Sequence, residues 1–307
     1  MARQAHRGAA SGGDLPASPR PSPGTGASGG GMAGGCAVVR VSPASAAAGP
    51  DRPSVARGDP MIDRFAALYR LALDLLLPER TMVRRFIAAH LAGAAPSQSP
   101  CLDIGAGPDP YGAALRRALG PETQIVTVDI GPGDRVRAVA DIQNLPFADR
   151  CFSVVIACHL LQHVTDPRAA LAEAARVLSP GGLILVVHPF ITVQGRDRDL
   201  WRWTLDGMTL ELERAGLTPV AAQSIGGPLY AVASLMASVP GRLLVTRRQG
   251  WRSGRTPADA LRLGFSLLLA APFHTLARLL EPLDRALWPH APFHVGGIVL
   301  ARKADHG

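Results

Sequence analysis

Hydrophobic positions along the chain alternate between two periods. Short, nearly uninterrupted apolar runs stand at Cys101–Ile104, Gln124–Asp129, Val136–Ala140, Cys151–Cys158 and Leu183–Val187, each bounded by Gly, Pro, Asp or Ser. Runs of this length predict buried strands. Between them, Tyr111–Leu119 and the stretch after Asp166-Pro167, with Ala170, Leu171, Ala174 and Leu178 on one face, repeat at helical spacing. Strands alternating with helices predict a doubly wound α/β fold with a mostly parallel sheet. A helix is expected from Leu205 to Ala215, ended by Gly216, and a sixth strand from Leu217 to Ile225. Ahead of the first strand, Phe65, Leu68, Leu71, Leu75 and Leu76, then Val83, Phe86, Ile87 and Leu91, predict two helices on either side of Pro78.

Residues 1–60 break this pattern. They are Ala, Gly, Ser, Pro and Arg with almost no aromatic side chains, a composition that cannot offset the entropy of ordering, so a disordered extension is expected. The folded domain is expected over 61–307. A 47% hydrophobic share supports a sizeable core. The formal charge of +8 arises almost wholly from arginine, Lys303 being the single lysine, and nucleic acid is not an expected partner. Cys36, Cys101, Cys151 and Cys158 lack C-x-x-C spacing; they read as small hydrophobes in a reducing cytosol, with no metal site expected.

The run C-L-D-I-G-A-G-P-D-P-Y-G, Cys101–Gly112, concentrates the candidate chemistry. A strand runs straight into Gly105 and Gly107, which can take positive φ, and the N–H groups of the following helix face the same place. Pro110 replaces the third glycine of a nicotinamide fingerprint, and Asp103 suits an ammonium better than a pyrophosphate. The segment resembles motif I of class I S-adenosylmethionine-dependent methyltransferases of the type 11-like group. The acid Asp129 closing the second strand, Asp141-Ile142-Gln143-Asn144-Leu145-Pro146-Phe147, and the turn Leu178-Ser179-Pro180-Gly181-Gly182 before a buried strand are similar to further features of that family.

The resemblance implies a Rossmann-like sheet of seven strands, with His294–Arg302 an antiparallel last strand. It also implies S-adenosyl-L-methionine as cofactor, and a site made of Asp103, Gly105, Ala106, Gly107, Asp129, Ile130, Asp141, Ile142 and His159. Asp129 would accept the ribose hydroxyls and Asp141 the adenine amine. If the methyl acceptor must lose a proton, His159, His163 and His188 are the candidate bases, with no ground in the sequence for choosing among them. Trp201, Arg202 and Trp203 are candidate substrate contacts, two flat surfaces beside a two-pronged donor. The opposing reading makes Trp201 an anchor packed on the core and pairs Arg202 with Asp197 or Asp199.

The expected activity is methyl transfer to a small-molecule, glycan or lipid-linked acceptor in the cytoplasm. The alternative is a catalytically silent binding or scaffold module of the same fold. Residues 226–293, between the last two strands, are apolar and rich in arginine, without a run long enough to span a bilayer. Two readings of them stay open: peripheral contact with an anionic membrane, or a helical cap burying its apolar faces against the domain or a second subunit. Homo-oligomer formation stays open as well.

Overall fold

The computed structural model describes residues 78–94, 99–107, 111–133, 135–194, 198–244, 257–288 and 293–305. The extension 1–60 and the helix expected before Pro78 lie outside the described residues.

The elements follow the chain as α1 (Pro78–His90), β1 (Cys101–Ile104), α2 (Gly112–Leu119), β2 (Ile125–Asp129), β3 (Ala138–Val139), β4 (Phe152–Cys158), α3 (Pro167–Val177), β5 (Leu178–Pro189), α4 (Leu205–Arg214), β6 (Leu217–Ile225), α5 (Pro228–Leu244), α6 (Pro257–Leu287) and β7 (Gly296–Lys303). They build one seven-stranded sheet in the order β3-β2-β1-β4-β5-β7-β6. β7 runs antiparallel to both of its neighbours, pairing Val186 with Val299 on one side and Ala222 with Val299 on the other. Every other pair is parallel. From β1 the chain winds out to β2 and β3, then returns to β4 on the opposite side, so the order reverses between β1 and β4. Open α/β sheets bind ligands at the carboxyl ends of the strands beside such a reversal.

The two faces of the sheet carry separate cores. On one, Leu115, Val154, Leu185 and Ile298 pack under α1, α2 and the start of α5. On the other, Leu102, Val155, Leu171 and Met208 pack under α3 and α4. Asp166 caps α3 by accepting from the amides of Arg168 and Ala169, with Pro167 in the first turn.

The strand expected at Leu183–Val187 begins five residues earlier. Leu178 already pairs with Phe152, and the register shifts before Leu183 pairs with Val154. The Ser-Pro-Gly-Gly segment is thus an irregularity within β5 rather than a turn ahead of it. β3 is only two residues long. Among the cysteines, Cys101 and Cys158 are free, as expected.

Candidate active site

A cavity of about 360 Å³ opens at the carboxyl ends of β1 and β2, next to the reversal in strand order. Gly105, Asp129, Ile130, Asp141, Ile142 and Leu160 contribute to its wall. β1 ends at Ile104, and Gly105 turns the chain with φ +71°, where its amide donates to the Val128 carbonyl at 2.7 Å. The positive φ is what favours glycine there; a Cβ would also press on Leu160 Cδ1 at 2.9 Å, a side-chain end that can shift.

Asp129 ends β2 and is held from two sides. Its Oδ2 accepts from the Gly107 amide at 3.1 Å and its Oδ1 from the Gly131 amide at 3.3 Å. Each oxygen keeps acceptor capacity for a further donor. Asp141 is organised by Gln143, whose amide donates to Oδ1 and whose Nε2 donates to Oδ2, both at 2.9 Å. Gln143 Oε1 in turn accepts from Thr165 Oγ1 and from the Asp166 amide, each at 2.9 Å, so one side chain ties the second acid to the start of α3. Ile130 is 76% exposed at the cavity rim. Two carboxylates with free lone pairs, an unsheltered isoleucine and a buried Ile142 form an acceptor set and apolar surface that fit a nucleoside with vicinal hydroxyls and a flat base.

Of the other expected cofactor residues, Asp103 and Ala106 are buried at the end of β1 and just after it. His159 follows β4 with φ +51°, and its Nε2 meets Glu79 Oε1 of α1 at 2.8 Å. Burial alone would raise the Glu79 pKa, but the His159 charge, its hydrogen bond and nearby Arg80 hold the carboxyl below the usual range. Glu79 could not be found from the sequence, since it lies 80 residues before its partner and carries no motif.

The three candidate bases differ in access. His188 is fully buried in β5, and neither ring nitrogen has a hydrogen-bond partner. Burial, with smaller contributions from His294 and His159, pushes its pKa down to about 4. His163 lines the cavity and has its ring engaged, Nδ1 by the Arg198 carbonyl and Nε2 by Gln162 at 3.2 Å. His159 alone of the three is paired with a carboxylate.

Trp201, Arg202 and Trp203 do not line this cavity. The indoles of Trp201 and Trp203 stack at 6.2 Å and border a second cleft with Pro167, Arg168 and Glu211. Thr165 contributes to the walls of both. Trp201 Nε1 donates to the Val164 carbonyl at 2.8 Å. Arg202 makes a two-pronged ion pair with buried Asp199, Nη2 to Oδ2 at 2.6 Å. Asp197 lies outside the described residues.

The family model described as a methyltransferase domain matches residues 102–186, the stretch that carries β1 to β5 and both acids. Over this stretch the chain is similar to methyltransferase domains. Among curated relatives, a ubiquinone/menaquinone biosynthesis C-methyltransferase from Teredinibacter turnerae is 33% identical over 139 residues, covering 40% of this chain and 55% of the relative. A demethylmenaquinone methyltransferase from Renibacterium salmoninarum is 32% identical over 139 residues, 42% of this chain and 58% of the relative. The chain thus spans little more than half the length of these relatives. Among solved structures, phosphoethanolamine N-methyltransferase 2 of Haemonchus contortus in complex with S-adenosyl-L-methionine is 17% identical, covering 72% of this chain and 52% of that chain at a TM-score of 0.44.

Proposed function

We propose that the protein transfers the methyl group of S-adenosylmethionine to a small-molecule acceptor, with glycan and lipid-linked acceptors included in that class. The observation that carries this reading is the pair of acids, Asp129 and Asp141, fixed by backbone and Gln143 around one cavity beside a positive-φ glycine. When bound, the sulfonium supplies an activated methyl group, so the residues mainly orient and desolvate. Asp129 holds the ribose end and Asp141 the base, with Ile130 and Ile142 as apolar contacts. Loss of exposed Ile130 surface to the ring adds binding energy at no cost in core packing.

On this reading His159, which follows β4 beside the cavity-lining Leu160 and is held by Glu79, is the base that serves the acceptor. With Nε2–H donated to Glu79, Nδ1 is the basic nitrogen, and it takes the proton an acceptor hydroxyl or acidic carbon must lose. Glu79 then stabilises the imidazolium. The Trp201–Arg202–Trp203 segment holds its loop against Val164 instead of gripping the acceptor, in keeping with the Asp199 pair.

Calorimetric titration of the folded chain with S-adenosylmethionine and S-adenosylhomocysteine tests the cofactor step. Transfer of labelled methyl to demethylmenaquinone, the compound in one relative's name, together with glycan and lipid-linked panels, tests the reaction. Saturable binding and labelled product are expected. Binding without transfer to any acceptor class would favour the silent binding module. For the base, His159→Asn should keep cofactor affinity while turnover falls by roughly 100-fold or more; unchanged turnover removes His159 from the chemistry.

A further inference from the structure

The paired helices α5 and α6 are packed inside out. α6 turns small or polar residues inward: Ser266, Ala270, Ala277 and Asp284 are buried, as are Ala231, Ala233 and Ala237 of α5. The large apolar residues point the other way, with Leu261 74%, Leu268 68% and Leu279 71% exposed. Together with Phe265, Leu276 and Leu283 these recur every three or four residues or at multiples of that spacing. At 100° per residue they fall within roughly 80° of arc and no charged residue shares it, over a helix length of about 33 Å. α5 repeats the arrangement with exposed Val232, Met236, Val239 and Leu243.

A helix pair in water places its large residues in the seam and its charges outside. Small residues in the seam and large ones outside is the order found where the surroundings are themselves apolar. We infer that this hairpin is a docking surface for an anionic lipid membrane, seated in the interface with α5 and α6 lying along it. The charge of the segment selects the occupant. Residues 226–293 hold eight arginines against Asp259, Glu281 and Asp284, so the segment is net positive, which opposes pairing with a second copy and complements anionic headgroups. No helix among the described residues is long and apolar enough to cross a membrane, which matches an interfacial seat. The inference rests on packing and charge and is independent of the acceptor reading.

The test is co-sedimentation of the full chain with phosphatidylcholine vesicles and with vesicles of equal parts phosphatidylcholine and phosphatidylglycerol. Binding to the mixed vesicles, weaker at high salt and weaker still to phosphatidylcholine alone, is expected. The triple variant Leu261→Glu, Leu268→Glu, Leu279→Glu should lower partitioning by roughly 100-fold or more, with circular dichroism and S-adenosylmethionine affinity unchanged to show that the domain is intact. No sedimentation of the folded chain with either vesicle overturns the inference. So does a stable dimer in light scattering that the triple variant converts to monomer while vesicle binding is absent.

Discussion

Helices α3 and α6 are both amphipathic, yet they face opposite ways. In α3, Ala170, Leu171 and Ala174 are buried against the sheet while Arg168 pairs with Glu211 and Arg176 with Glu173 and Asp149 at the surface. In α6 the alanines are inside and the leucines outside. A periodic pattern therefore reports that a helix has two faces without saying which of them meets water. The direction has to come from what packs on the small-residue side.

The sharpest way to break the comparison is to remove a leucine from each helix. Leu171→Ala should destabilise the fold by about 3 kcal/mol, as a fully buried leucine leaves a cavity. Leu268→Ala should change the urea midpoint by less than about 0.5 kcal/mol equivalent, because water already surrounds most of that side chain. Equal losses at the two positions would mean that the outer face of α6 is buried in solution.

His188 probes the core side by pH. Its depressed pKa means the unfolded chain takes up a proton that the folded chain refuses. Stability is fully present above about pH 6.5 and falls as the pH drops toward about 4, a loss on the order of 3 kcal/mol at most. Urea unfolding at pH 7 and pH 5 should show the slope, and His188→Leu should flatten it; an unchanged slope assigns the acid sensitivity to other groups.

Asp129→Ala separates the two halves functionally. Cofactor affinity should fall by about 1.5–3 kcal/mol in calorimetry, the scale of charge-assisted bonds left unmade, while vesicle binding stays as in the parent. The smallest effect expected is from Thr165→Val. It removes one hydrogen bond to Gln143 and leaves the Asp166 amide in place, so affinity should drop by about 0.5–1 kcal/mol. A larger loss would show that Thr165 lines the bound cofactor directly.

Much of the sheet was legible because buried strands have few ways to read. β6 spans Leu217–Ile225 as expected, and the acids at the end of β2 and just beyond β3 fall around a single cavity. What escaped depends on distant partners. Gln143 bridges Asp141 to Thr165 across 22 residues, and Glu79 reaches His159 across the first half of the fold. The Trp-Arg-Trp segment was ambiguous for the same reason, since only the folded chain shows that buried Asp199 already occupies the guanidinium. For residues 226–293 the sequence left membrane contact and a cap burying its apolar faces both open, because periodicity does not say which face is covered. Among the described residues of α5 and α6 the small side chains are the covered ones, since an alanine seam lets two helices approach closely.

The place of β7 in the sheet has a consequence for how the protein is made. β6 pairs with β7 and with no other strand, and β5 meets the rest of that edge through the same partner. On the ribosome, β6 and both long helices emerge before Gly296–Lys303 exists, so β6 has no hydrogen-bonded neighbour and the apolar hairpin trails from an unfinished edge. Closure of that edge waits for a strand that must slide between two already synthesised ones. A nascent chain paused before residue 296 would therefore present its stickiest surface and its open edge together, and would be the form that chaperones or a nearby bilayer meet first.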